Sequence, residues 1–284
     1  MKQRNSTVCV QYKCGLLLQL TILIGLSLVV AVVQARELTF ITQPIYSPAE
    51  TQHVYQPLVQ YLSRTTGHRI KLITSNGFQD YWNKISNSSR YDIILDSAHF
   101  TSYRVKYLGY SVIAKIPDTV SYSLVSSSKE MFLEANDLVG RTLVTQPPPS
   151  LAAVRIEVLF PNPMRLPVVQ STMSMTDAVN QVMQGKASAA IVPTPLLKNY
   201  PELNVIATTK PVPHMAFSVS PQLTADTRIE ITRALLEANR TAAGRQMLKQ
   251  INFPLFSQAS NKTYLGYHRL LGQIWGYAKL GTRD

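Results

Sequence analysis

The sequence predicts an α/β fold: two Rossmann-like lobes joined by two crossing strands, followed by a helical C-terminal tail. Three observations predict it. Short β-branched runs alternate with amphipathic stretches in a β-α-β-α-β order, which implies parallel strands covered by helices. The same order recurs once after an extended Ser-rich passage, and the end of the chain is rich in helical periodicity instead.

The chain opens with Lys2, Arg4 and Lys13 and no acid before an apolar stretch that ends on Val33-Gln34-Ala35. A basic flank, an apolar run and small residues at the end suit a cleaved export signal, residues 1–35, with Arg36 as the new N-terminus. The run is long for a cleaved signal and only just long enough to span a bilayer, so a retained inner-membrane anchor is the alternative. On either reading the remainder is expected in the periplasm. The only two cysteines, Cys9 and Cys14, precede the apolar run, so the exported part has no disulfide and no Cys-ligated metal. Removing Lys2, Arg4 and Lys13 from the 28 basic residues leaves 25 against 16 acidic ones, a net +9. These positives are scattered singly and no nucleic-acid motif appears, so nucleic acid is not an expected partner. The charge points weakly to small anions, or is simply a solvated basic surface.

Lobe one is expected over residues 36–123. Leu38-Thr39-Phe40-Ile41 reads as a buried strand and residues 44–48 as a loop. Val54, Leu58, Val59, Tyr61 and Leu62 repeat at helical spacing up to Gly67. Strand 69–73, a helix near 78–86 and strand 91–95 complete the first set. Lobe two is expected over residues 124–213, with strand 141–145, a helix opened by Ser150, strand 167–170, a helix from Met175 to Gly185 and strand 189–192. Residues 214–284 return to lobe one: strand 216–220, one long helical stretch over 226–248 and a last amphipathic helix over 264–278. Ligands in such sheets sit beyond the carboxyl ends of the strands.

No Gly-x-Ser-x-Gly elbow, His-Glu-x-x-His pair, Walker loop or dinucleotide fingerprint is present, and the five His are dispersed. An enzyme is therefore not expected, nor a cofactor or metal.

Several segments together resemble the solute-binding proteins of phosphonate, phosphite and phosphate-type ABC transporters. They are Tyr46-Ser47-Pro48-Ala49-Glu50 with the helix from Tyr55 to Leu62, Tyr91-Asp92-Ile93-Ile94-Leu95 with Ala98-His99-Phe100, Asp137-Leu138-Val139-Gly140-Arg141, Asp177-Ala178-Val179 with Gly185-Lys186, and Pro211-Val212-Pro213-His214. The resemblance implies the type II periplasmic binding fold and capture of a small anionic ligand by hinge closure for an ABC importer. The alternative it leaves open is a sensor that presents its ligand to a membrane histidine kinase. It also implies an anion at the second-lobe helix start, where Ser150 either caps the helix or donates to an oxyanion. Phosphonate-binding relatives carry a Ser/Thr-rich turn there, whereas this chain has Pro147-Pro148-Pro149, which supply no N–H donors.

The expected ligand residues are Tyr46, Asp96, Ser97, His99, Ser150, Thr172 and Thr194. Tyr46 is an aromatic in the loop after strand one, set to face a ligand or to pack that loop. Asp96 and Ser97 follow the third strand and face the ligand or cap the next helix. His99 supplies pH-dependent charge or a plain hydrogen bond. Thr172 and Thr194 offer neutral donors at second-lobe strand ends. His214, at the return crossing, belongs to the hinge or the pocket.

Overall fold

Strand alternation sets the architecture. In β1 (Leu38–Thr42) and β3 (Ile93–Asp96), Phe40, Ile93 and Leu95 enter one apolar cluster, while Ile41 and Ile94 enter another on the opposite face. A strand buried on both faces needs a helical layer on each side, and the chain provides both. Helix α1 (Pro48–Thr66) brings Tyr55, Leu58 and Leu62 to the first face, and α2 (Phe78–Ile85) brings Phe78, Tyr81 and Trp82 to the second. The computed structural model from which these elements are taken describes residues 36–87, 89–273 and 277. The expected export signal and the end of the last expected helix lie outside them. Among the described residues no helix is long and apolar enough to cross a membrane.

The first sheet runs in the order β2 (Ile70–Ile73), β1, β3, β12 (Ala216–Val219), β4 (Ser111–Lys115). β1 pairs parallel with β2 and β3, and β12 enters antiparallel between β3 and β4. The second sheet runs β10 (Leu203–Thr208), β6 (Tyr122–Ser127), β9 (Ala189–Pro193), β7 (Thr142–Thr145), β8 (Val168–Ser171). Here β7 pairs parallel with β8 and β9, and β6 is antiparallel to β9 and β10. Helix α4 (Leu151–Leu159) packs with Leu143 and Ile191 on one face, and α5 (Met175–Met183) with Val144 and Ala190 on the other. The lobes are joined where β5 (Thr119–Val120) pairs antiparallel with β11 (Val212–Pro213).

The structure adds or redraws several elements. Strands β4 and β10 were not read as elements from the sequence, and helix α3 (Ala98–Tyr107) was expected only as a helix after Asp96 and Ser97, without an extent. Helix α1 begins at Pro48, the last residue of the expected loop, because Ser47 and Glu50 form a reciprocal capping box. The single helical stretch expected over 226–248 is two helices, α6 (Ala225–Leu236) and α7 (Ala242–Gln250), with Thr241 capping the second. The turn between them is tight: a Cβ built on Gly244 would lie 2.0 Å from the carbonyl oxygen of Ala238. The last expected helix is instead two 3-10 segments, Asn261–Tyr264 and Tyr267–Gln273, as far as the described residues reach.

At the centre of lobe one lies an ion pair with no solvent exposure on either side chain. Arg104 of α3 gives Nη1 to Asp96 Oδ2 at 2.5 Å and Nη2 to Asp96 Oδ1 at 2.8 Å. Tyr81 and Thr101 also donate to the Asp96 carboxylate, and Arg104 Nη2 reaches Ser218 Oγ of β12 at 2.9 Å. Burial alone lowers the guanidinium pKa, but the adjacent carboxylate outweighs it and raises that pKa above its ordinary value. Burial, then the Asp96 charge, raises Tyr81 well above 10, so its hydroxyl stays a donor. Removing one member strands a buried charge. Arg104→Met is therefore expected to cost about 3–5 kcal/mol in urea unfolding, and Asp96→Asn with Arg104→Met less than the sum of the two single changes.

Candidate functional site

The carboxyl ends of both sheets open onto one cavity of about 600 Å³ between the lobes. Lobe one contributes Gln43 and Tyr46 after β1, Asn76 after β2 and Ser97 after β3. Lobe two contributes Gln146 after β7, residues 173–176 after β8, and Pro193, Pro195 and Leu196 at the end of β9. The crossings complete it with Val120, His214 and Met215. The lobes already touch at its rim, where a methyl group added to Gly77 would stand 3.7 Å from Met173 Cε.

Gln43 and Gln146 occupy matching places, each following the first parallel strand of its sheet, and both are buried. Gln43 Oε1 accepts from the N–H and hydroxyl of Ser97, at 3.1 and 2.7 Å. Gln146 Nε2 donates to Met173 O at 3.2 Å. Ser97 is the N-cap of α3, yet its side chain makes no capping hydrogen bond. The amides of that first turn thus lack the side-chain acceptor that helix starts ordinarily have. Across the cavity Ser174 caps α5 by accepting from Asp177 N–H. Both helix starts bring positive dipole ends to the same space.

His214 presents a donor. Its Nδ1 accepts from Met215 N–H at 2.8 Å, which leaves the proton of the neutral ring on Nε2. Burial, then the charge of Lys115, lowers its pKa to about 4. Among the described residues no Lys or Arg lines the cavity, and the one carboxylate there is Glu50 at the capping box of α1. Hydrogen bonds from Ser47 hold the Glu50 carboxyl below its ordinary pKa.

Of the residues expected from the sequence, the structure brings Tyr46 and Ser97 to the cavity. The other five line other parts of the molecule. Asp96 is occupied by Arg104, Tyr81 and Thr101. His99 is fully buried and gives Nε2–H to the Pro149 carbonyl of lobe two at 2.9 Å, so it ties the lobes together behind the cavity. Burial lowers its pKa to about 4, which makes it a neutral donor rather than a source of charge. Ser150 is fully buried; it caps α4 by accepting from Ala153 N–H and donates to the Gln146 carbonyl. Thr172 donates to Asp177 Oδ2 at 2.7 Å, and Thr194 bonds the hydroxyls of Ser121 and Ser123. Gln43, Gln146, Met173, Met175 and Met215 were missed. Position was the available signal for the two glutamines, since each stands directly after a strand's carboxyl end.

Two such lobes, with β12 returning antiparallel into the first sheet, define a type II periplasmic binding protein. Solved structures of that class superpose well. A binding component of an ABC phosphonate transporter from Pseudomonas aeruginosa matches with a TM-score of 0.70 and 15% identity, covering 84% of this chain and 87% of that one. PhnD1 of Prochlorococcus marinus, solved with methylphosphonate, matches with a TM-score of 0.72 and 13% identity over 84% of this chain and 100% of its own. A Xanthomonas citri protein solved with chloride matches at 0.69 and 12% identity over 86% and 98%. No curated protein matches the chain by sequence. The family model for the periplasmic substrate-binding protein of phosphonate ABC transporters matches residues 40–264, and the chain belongs to that family. It is thus a transporter's extracytoplasmic binding component and not an enzyme; members bind small ligands and work with ABC permeases.

His99 and His214 are neutral in the folded protein but titrate near 6.5 when unfolded. Their contribution to stability is complete above about pH 6.5 and falls as the pH drops toward about 4. His214→Gln is expected to remove about 2 kcal/mol of the stability lost between pH 7 and pH 5, measured by urea unfolding at both.

Proposed function

We propose that the protein captures a phosphonate-like anion by closure of its two lobes and delivers it to an ABC permease in the cytoplasmic membrane. The observation that carries this reading is the pair of helix starts, α3 from one lobe and α5 from the other, at a single interlobe cavity. Helix N-termini favour negative charge through free N–H groups and the helix dipole, without any cationic side chain. His214 Nε2–H and the amide groups of Gln43 and Gln146 add neutral donors that a carboxylate-free oxyanion can use. The methylphosphonate complex of the Prochlorococcus relative supports the same class of ligand. The expected second-lobe anion site at Ser150 is replaced in this reading by the α5 start, because the hydroxyl of Ser150 already has both a donor and an acceptor partner. Tyr46, at the rim and partly exposed, closes over the ligand.

A thermal-shift panel of phosphate, phosphite, methylphosphonate, sulfonates and neutral solutes tests the anion. A ligand at a hundred times its Kd stabilises by about 2.7 kcal/mol, so the midpoint should rise by several degrees with methylphosphonate. No shift with any anion, alongside a shift with a neutral or cationic solute, would overturn the reading. Tyr46→Ala and Ser97→Ala should each weaken binding by about tenfold in calorimetry, the first through loss of a ring contact and the second through loss of the hydrogen bond that fixes Gln43. Small-angle scattering should show the radius of gyration contracting on saturation, and an unchanged radius would remove closure.

A further inference from the structure

We infer that the ligand is an amphiphile: a phosphonate bearing an apolar alkyl or aryl substituent of about six carbons, seated against Leu196 and the end of β9. The inference rests on the anion reading above and names the rest of the molecule that fills the same cavity. A bare tetrahedral oxyanion has the bulk of a few waters, on the order of 100 Å³ at about 30 Å³ each. The cavity holds about 600 Å³, although the lobes are already in touch at its rim. That volume is in the roughly 300–1,000 Å³ range of sites for drug-sized ligands.

The walls are also unequal. The second sheet runs β10, β6, β9, β7, β8; β6 is antiparallel, so its start at Tyr122 lies beside the end of β9 at Pro193, and the ends of β9, β7 and β8 reach the cavity in that order. The β7 and β8 side offers the polar groups of Gln146, Ser174 and Thr176 between Met173 and Met175, and faces the uncapped start of α3 at Ser97. The β6 and β9 side offers Tyr122, Pro193, Pro195 and Leu196, which Val120 and Met215 of the crossings extend. Apart from the His214 ring, this second wall has no charged or amide side chain to repay the desolvation of a polar ligand. Burial of Tyr122, offset in part by Arg155, lifts its phenol pKa to about 12, so its ring meets the ligand uncharged. The polar head therefore belongs with Ser97, Gln146 and Ser174, and the substituent with the β9 end. The unbranched side chains of Met175 and Met215 adapt to an apolar group of variable shape.

Calorimetric titration of the full-length exported chain with methylphosphonate, hexylphosphonate, phenylphosphonate and hexanol tests this. Each buried methylene strengthens binding up to about fourfold, so hexyl- or phenylphosphonate should bind at least about tenfold more tightly than methylphosphonate. Leu196→Ser should shrink that ratio by about fivefold or more. Methylphosphonate binding as tightly as the longer ligands would overturn the apolar substituent while leaving the anion reading intact. Hexanol binding with no phosphonate binding would overturn both. A tenfold preference that Leu196→Ser leaves unchanged would remove the β9 end as the seat of the substituent.

Discussion

The Asp96–Arg104 pair sits where four elements of lobe one meet, and their mutual placement depends on it. Asp96 ends β3, Arg104 lies along α3, Tyr81 reaches in from α2, and Ser218 comes from β12, the strand that returns from lobe two. Two opposite charges with no water must satisfy one another almost completely, since desolvation costs several kcal/mol for each ion. Both carboxylate oxygens and both terminal guanidinium nitrogens are engaged, and only Arg104 Nε lacks a partner. The geometry therefore holds the start of α3 at one depth and rotation. Ser97 stands at that start, so the position of the cavity's uncapped amides follows from charges that never touch a ligand.

The lobes share more than the two crossings. A single apolar cluster takes Ala98, Val112 and Ala216 from lobe one, Leu124, Leu151 and Phe160 from lobe two, and Tyr264 from the tail. Tyr264 donates to the His214 carbonyl, and His99 donates to Pro149 across the same region. The tail thus joins the two lobes on the side of the cavity where the crossings run.

The chemistry of the cavity separates net charge from recognition. The chain is strongly basic, yet among the described residues no Lys or Arg lines the cavity. On the proposed anion reading, long-range positive potential raises the local concentration of anions, whereas binding itself falls to dipoles and neutral donors that have few competing states. Such donors need no side-chain ordering when the ligand arrives, because Gln43 and Gln146 are already fixed by hydrogen bonds.

Much of the fold was legible because its cause is local. Alternating or continuous β-branched runs, helical spacing of apolar residues, and stop signals such as Gly67 and Gly185 act over a few residues, and they located β1, β2, β3, β7, β8, β9 and the helices between them. The N-cap of α4 at Ser150 was legible for the same reason. The extent of helix α3 was not, because its residues from Ala98 to Arg104 are buried on every side, and a helix with no solvent face shows no polar–apolar period. Of the candidate site, the sequence alone indicated the strand ends and brought out Tyr46 and Ser97. It could not separate Asp96 the core ion from Asp96 the ligand contact, since Arg104 lies eight residues away and becomes its partner only when α3 folds back along β3. Local periodicity determined many of the elements, and the resemblance of several segments pointed to the family; long-range pairing decided which polar groups were already satisfied, and so which remained to face a ligand.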